Sequence, residues 1–153
     1  MKVFGEIKKR QIQELPCKLL ISGVNGGMID ELHRIAKVYN IENELVLTGF
    51  VDDDVRNCLY VHAKAFLFPS IFEGFGMPPI EAICCNTPVV TTRCACIPEI
   101  TQQLANYVDD PYSVDNWIEV MKNTTNKNED FNMNPYIPEN VALEYLKILR
   151  RMI

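Results

Sequence analysis

Two carboxylates and two glycines share one short stretch, Glu73-Gly-Phe-Gly-Met-Pro-Pro-Ile-Glu81. Gly74 and Gly76 lack side chains, so the main chain there can come close to a ligand. A helix opening near Met77 to Pro79 would direct free amides and a positive dipole end at that ligand, an arrangement suited to a pyrophosphate. Pro78 and Pro79 have no amide hydrogen, so the donors fall to Phe75, Gly76 and Met77. Prolines in a first turn cost little, because those amides have no intrahelical partner anyway. Glu73 precedes the glycines and should project from the loop. Glu81, about one turn into the helix, can point back toward the same crevice. Carboxylates accept well from vicinal hydroxyls, so one could hold a sugar ring and the other a ribose. Taken singly, a capping Glu73 and a solvated Glu81 are the commoner readings of such acids.

Short apolar runs alternating with helical patterns must carry this loop. Val3, Phe4, Ile7 and Ile12 fall at near-helical spacing, and Cys17 to Ser22 is a run suited to a strand covered on both faces. A glycine turn at Gly23, Gly26 and Gly27 leads into an amphipathic helix with Met28, Leu32, Ile35, Ala36 and Tyr39 inside. Glu44 to Thr48, Lys64 to Phe68, Pro88 to Thr92 and Tyr107 to Asp109 are the further strands. Asp52 to Asp54 can cap the helix that carries Val55, Cys58, Leu59 and His62. The helix after Glu73 should end at Asn86, which tolerates left-handed geometry, before Pro88. A helix over about 113–122, a polar loop or mobile linker over 123–130 and a terminal amphipathic helix over 138–152 complete the pattern. That terminal helix must dock on something to hide its apolar stripe. The fold class is α/β, an open parallel sheet with helices on both faces. Ligands of such sheets bind outside the carboxyl ends of the strands, where the loops Gly23 to Gly27, Gly49 to Asp54 and Ser70 to Pro79 converge.

A length of 153 residues with 48% hydrophobic content suits one domain over 1–153 with a sizeable core. The formal net charge of -5 offers no broad basic field, so nucleic acid is excluded as a partner. No run is apolar enough for a transmembrane segment or a signal peptide, and the expectation is a cytoplasmic protein. Of the six cysteines, Cys94-Ala-Cys96 is spaced too tightly for a zinc knuckle, and no metal is expected. Reduced, mostly buried thiols are expected instead. His33 and His62 lie in helical patterns outside the motif loops and read as structural. Asn123-Thr-Thr fits a glycosylation sequon, but nothing else suggests export.

The longer string Phe68-Pro-Ser-Ile-Phe-Glu-Gly-Phe-Gly-Met-Pro-Pro-Ile-Glu-Ala, followed by Thr87-Pro-Val-Val and Ile97-Pro-Glu99, closely resembles glycosyltransferase family 4. Leu19-Leu-Ile-Ser-Gly23, Leu45-Val-Leu-Thr-Gly-Phe-Val-Asp52, Leu59-Tyr-Val-His-Ala63 and Tyr107-Val-Asp-Asp-Pro111 follow in the family's order. The resemblance covers roughly residues 15–122. It implies the Rossmann-like, C-terminal, nucleotide-sugar-binding half of a retaining GT-B enzyme that transfers a hexose to a glycan or glycolipid, as in polysaccharide biosynthesis. It further implies a GDP-, UDP- or ADP-linked donor, no metal or other cofactor, and a place in the cytoplasm or, in the full enzyme, at the membrane periphery. By position, Glu73 matches the glutamate that contacts the donor sugar and helps set the transition state. Gly74, Phe75, Gly76 and Met77 match the segment that meets sugar and phosphate, and Glu81 matches the residue that holds the ribose. Phe50, Val51 and Asp53 lie where relatives contact the base, although Asp52 to Asp54 equally suit a plain helix cap.

The chain departs from the family pattern in places. Asn86 replaces a usual glycine, and Gln102 and Gln103 stand where a glycine and an acid commonly follow Pro-Glu. The family's Arg and Lys that neutralise the diphosphate would precede Met1, and Lys8, Lys9 and Arg10 are poor substitutes. The N-terminal Rossmann-like domain that binds acceptor is also missing and would have to come in cis or in trans. The expectation is therefore weak donor binding with little or no transfer by the chain alone. A non-catalytic nucleotide-binding module and one subunit of a split enzyme are the alternatives.

Overall fold

A computed structural model describes residues 1–15 and 18–151. Cys17, the start of the expected first strand, and the last residue of the expected terminal helix lie outside the described residues. The order is α1 (Lys2–Lys9), β1 (Leu19–Ser22), α2 (Gly26–Val38), β2 (Leu45–Gly49), α3 (Asp53–His62), β3 (Phe66–Phe68), α4 (Met77–Cys84), β4 (Val89–Thr92), α5 (Ile97–Ile100), β5 (Asn106–Val108) and α6 (Val114–Lys122). Two 3-10 turns, Asn128–Asp130 and Asn134–Tyr136, then lead to α7 (Pro138–Arg151).

Every strand pairing is parallel, but the ladders fall into two groups, β1-β2 and β3-β4-β5. The expected open parallel arrangement is present, divided between these two ladders. The short β3 has three residues and, among the described residues, pairs with β4 alone. Side chains nevertheless unite the two groups, because Leu19, Leu45, Leu67, Val90 and Val108, one from each strand, join a single core cluster.

Helices cover both faces, and β4 shows why. Successive strand residues point to opposite faces. Val90 packs into the cluster that holds Phe4 and Ile7 of α1, Ala36 of α2 and Trp117 of α6, whereas Val89 joins Tyr60 of α3 and Ala82 and Ile83 of α4. All four β4 residues are buried, which explains its unbroken Val-Val-Thr-Thr run. The buried hydroxyls keep partners: Thr91 Oγ1 donates to Phe68 O at 2.9 Å and Thr92 Oγ1 to Ser70 O.

Local chemistry sets the helix limits. Asp52 caps α3 by accepting from the Val55 amide at 2.8 Å, and Ser113 caps α6 by accepting from Asn116 at 3.2 Å. Helix α4 stops where Asn86 turns left-handed at φ 59°. There the Asn86 and Thr87 amides donate back to Ile83 and Ala82, both at 2.9 Å. The stretch 123–130 is less free than its polarity suggests, since it holds a 3-10 turn. Asn126 bonds to Asn86, and Asn128 Nδ2 donates to Thr87 O at 2.9 Å. Asparagine amides there serve as main-chain partners rather than as a mobile linker.

Helix α7 is amphipathic yet has no buried residue, with Leu143, Tyr145, Leu146 and Ile148 all exposed. Among the described residues no helix is long and apolar enough to cross a membrane. The described cysteines are free thiols; Cys58 and Cys84 are exposed and Cys85, Cys94 and Cys96 half-buried, which corrects the expectation of mostly buried thiols. Cys58 and Cys84 miss the core because Tyr60, Ala82 and Ile83 take the inward positions of their helices.

Candidate functional site

Parallel strands bring the β1-α2, β2-α3 and β3-α4 loops to one edge, at the strands' carboxyl ends. The first two touch through Gly23 N, which donates to Gly49 O at 2.6 Å. The third is held from below by the β4-α5 loop. Cys94 Sγ donates to Ser70 O at 3.1 Å, and Cys96 Sγ lies 3.1 Å from Phe75 O and 3.7 Å from Glu73 O. The Phe75 ring stands edge-on to Tyr136, 6.3 Å between centroids. Both ends of the glycine bend are therefore fixed by residues distant in sequence.

The two glycines of the bend have different reasons to be glycine. Gly76 is buried, left-handed at φ 87°, and a Cβ on it would stand 2.7 Å from Ile97 Cδ1 and 2.9 Å from Ile100 Cδ1. Its lack of a side chain serves packing on α5. Gly74 has nothing within 4 Å of a built Cβ, so its open side faces space. Helix α4 begins at Met77 with no side-chain cap and with prolines in its first turn. Among the described residues, the amides of Phe75, Gly76 and Met77 donate to no protein acceptor. Three orphan donors at a helix start attract an anion.

Glu73 is half-buried, and among the described residues its carboxylate has no ion pair or hydrogen bond. Glu81 is engaged. Its Oε2 accepts from the Tyr60 hydroxyl at 3.2 Å and lies 3.3 Å from Arg56 Nε, both on α3. Arg56 also reaches Asp53, Nη1 to Oδ1 at 2.9 Å. One guanidinium therefore connects two of the expected site residues. The Arg56 Nε hydrogen is sealed from solvent and, among the described residues, has no hydrogen-bond partner, so its contact with Glu81 is charge attraction at a poor angle. Burial, and then the Glu81 carboxylate, pushes the Tyr60 hydroxyl well above the ordinary tyrosine range, which keeps it a donor.

On the β2-α3 loop, Phe50 is 77% exposed and Val51 half-buried, while Asp52 is the cap and Asp53 faces Arg56. Phe72, Phe75 and Met77 are also exposed, so this edge carries unusual apolar surface. Two shallow, open grooves lie elsewhere: one of about 500 Å³ along α7 and one of about 360 Å³ between α4 and the stretch around Phe131. Glu73 and Glu81 line neither of these, and the candidate site is flanked by the exposed Phe50, Phe72 and Met77.

Residues 1–136 match the family model described as glycosyl transferases group 1. The chain belongs to that family. It is 36% identical over 97 residues to an O-antigen chain mannosyltransferase B of Escherichia coli, a match covering 63% of this chain and 25% of the relative. A solved sucrose-phosphate synthase from Thermosynechococcus elongatus superposes with a TM-score of 0.67 at 18% identity, covering 99% of this chain and 42% of that one. A pneumococcal O-GlcNAc transferase GtfA, solved with UDP and GlcNAc, gives 0.59 at 20% identity, covering 80% and 24%. These likenesses show a GT-B type α/β fold. The chain spans 25% or less of the length of the curated relatives it matches.

In this group 1 glycosyltransferase chain, sequence reasoning missed Arg56, Tyr60, Cys96 and Tyr136. Arg56 follows Asp53 by three residues and precedes Tyr60 by four, so helical spacing alone would have put all three on one face. Cys96 and Tyr136 gave no such signal, because their contacts with the bend depend on tertiary packing.

Proposed function

We propose that this chain is the donor-binding part of a retaining hexosyltransferase, and that the bend Gly74–Met77 binds the diphosphate of a nucleotide sugar. The observation that carries the reading is the set of three amides at Phe75, Gly76 and Met77 that have no acceptor among the described residues. Those amides and the start of α4 offset the developing diphosphate charge, with no role assigned to a metal. Gly74 leaves its side open to the sugar, Glu73 contacts the sugar hydroxyls, and Glu81 accepts from the ribose. Phe50, Val51 and Asp53 flank the base. In the transfer, the acceptor hydroxyl oxygen bonds to the anomeric carbon as the carbon-phosphate-oxygen bond breaks on the same face. The acceptor proton passes to the departing diphosphate. Glu73 stabilises the cationic sugar between these events.

The likeness to an O-antigen chain mannosyltransferase supports a mannose donor and a glycan chain as acceptor for this chain. An open site needs a second wall to exclude water, and a Rossmann-like acceptor domain in cis or in trans would supply it. The exposed apolar stripe of α7 and the exposed Phe50, Phe72 and Met77 support such a partner. With no second wall, the chain alone binds donor weakly and transfers little. Calorimetric titration with GDP-, UDP- and ADP-sugars tests the reading. One class should bind, and Glu81→Ala should weaken it roughly tenfold or more. Failure of all three to bind would sink it.

A further inference from the structure

The clasp on Glu81 is a feature of this chain's own residues. Tyr60 and Arg56 both engage the same oxygen, Oε2. The other oxygen has no hydrogen-bond partner among the described residues and is not sealed from solvent. The carboxylate is thus held by one oxygen and presents the other. The far end of the guanidinium is fixed in turn by Asp53 at 2.9 Å, at the first turn of the helix that follows the exposed Phe50.

Stability alone is a weak reason for this arrangement. Partly exposed ion pairs such as those of Arg56 with Asp53 and Glu81 contribute little net stability, and a buried N–H without an acceptor is a cost. Arg56 Nε carries that cost beside Glu81. We infer that Arg56 and Tyr60 are positioning residues: they pin one oxygen of Glu81 and aim the other at the ribose hydroxyls of the donor. The inference rests on Glu81 being the ribose-binding group, and it makes the grip on ribose depend on α3 as well as on α4.

The test compares each of GDP, UDP and ADP with its 2′,3′-dideoxy counterpart, using calorimetry on the full chain. The wild type should bind the preferred ribonucleotide roughly tenfold more tightly than its dideoxy analogue, as expected for loss of a hydrogen bond to a charged acceptor. Arg56→Gln and Tyr60→Phe should each move that ratio toward one, and Arg56→Lys should keep an intermediate ratio. A merely structural role would weaken both nucleotides equally and lower the melting temperature with the ratio unchanged, which would overturn the inference. A wild-type ratio of one with measurable binding would overturn the ribose role of Glu81 and this inference with it. No binding of any nucleotide would overturn the donor-binding reading as a whole. Where Arg56→Gln fails to fold, Arg56→Lys and Tyr60→Phe carry the comparison.

Discussion

Adding one methyl group at Gly76 should damage the fold far more than adding it two residues earlier. In Gly76→Ala the new Cβ stands 2.7 Å from Ile97 Cδ1 and 2.9 Å from Ile100 Cδ1, and the backbone is left-handed at φ 87°. Left-handed geometry costs a residue with a Cβ about 1–2 kcal/mol. Overpacking a filled core costs about 1–3 kcal/mol. Together they remove about 2–5 kcal/mol from a stability that for such domains totals about 5–15 kcal/mol. At about 3 °C per kcal/mol for a chain of this size, the melting temperature should fall by roughly 6–15 °C in a circular-dichroism melt. Gly74→Ala, whose Cβ meets nothing within 4 Å, should stay within about 0.5 kcal/mol of wild type. Ile97→Val removes the nearer clashing carbon at a cost of its own of about 0.5–1.5 kcal/mol, so the double variant should lose less than the sum. Equal melting shifts for the two alanine variants, or full additivity of Gly76→Ala with Ile97→Val, would refute the packing account.

Glu73→Gln should weaken a nucleotide sugar about tenfold by calorimetry while leaving the matching nucleoside diphosphate unchanged, because only the sugar reaches that carboxylate. Tyr60 has its hydroxyl raised in the folded state, so its contribution to stability is fully present below the unfolded value of about 10 and is lost as pH climbs through the higher folded value. Urea denaturation above about pH 10 should accordingly show stability falling in the wild type and a shallower fall in Tyr60→Phe. Truncation after Ile137, which removes α7 and its wholly unburied residues, should change urea stability by about 1 kcal/mol or less, since no core side chain is lost.

The alternation of apolar runs and helical stripes made most elements legible, and Asn86 before Pro88 marked the end of α4 because only left-handed geometry suits that position. Strand starts were misread by a residue or two: Lys64 and Ala65 lie before the ladder that begins at Phe66, whereas β5 begins at Asn106, one residue before the expected Tyr107. Periodicity says where apolar side chains recur but not where parallel hydrogen bonds begin. The division into two ladders was invisible for the same reason. At the site, the Glu73–Glu81 string foretold the orphan amides, which follow from glycine and proline chemistry near a helix start. It could not show that Gly76 serves Ile97 and Ile100, that Cys96 holds the bend, or that Arg56 and Tyr60 already hold Glu81. Those facts depend on helices packing side by side, and no local spacing records them apart from the helical interval between Asp53, Arg56 and Tyr60.

Assigned amide NMR spectra of the chain, recorded during titration with a nucleoside diphosphate, probe the orphan donors themselves. The largest shifts should fall on Phe75, Gly76 and Met77, and excess inorganic pyrophosphate should compete for the same three signals. Saturating shifts confined to α7 or to the α4–Phe131 groove, with these three amides unmoved, would contradict the anion site on which the account is built.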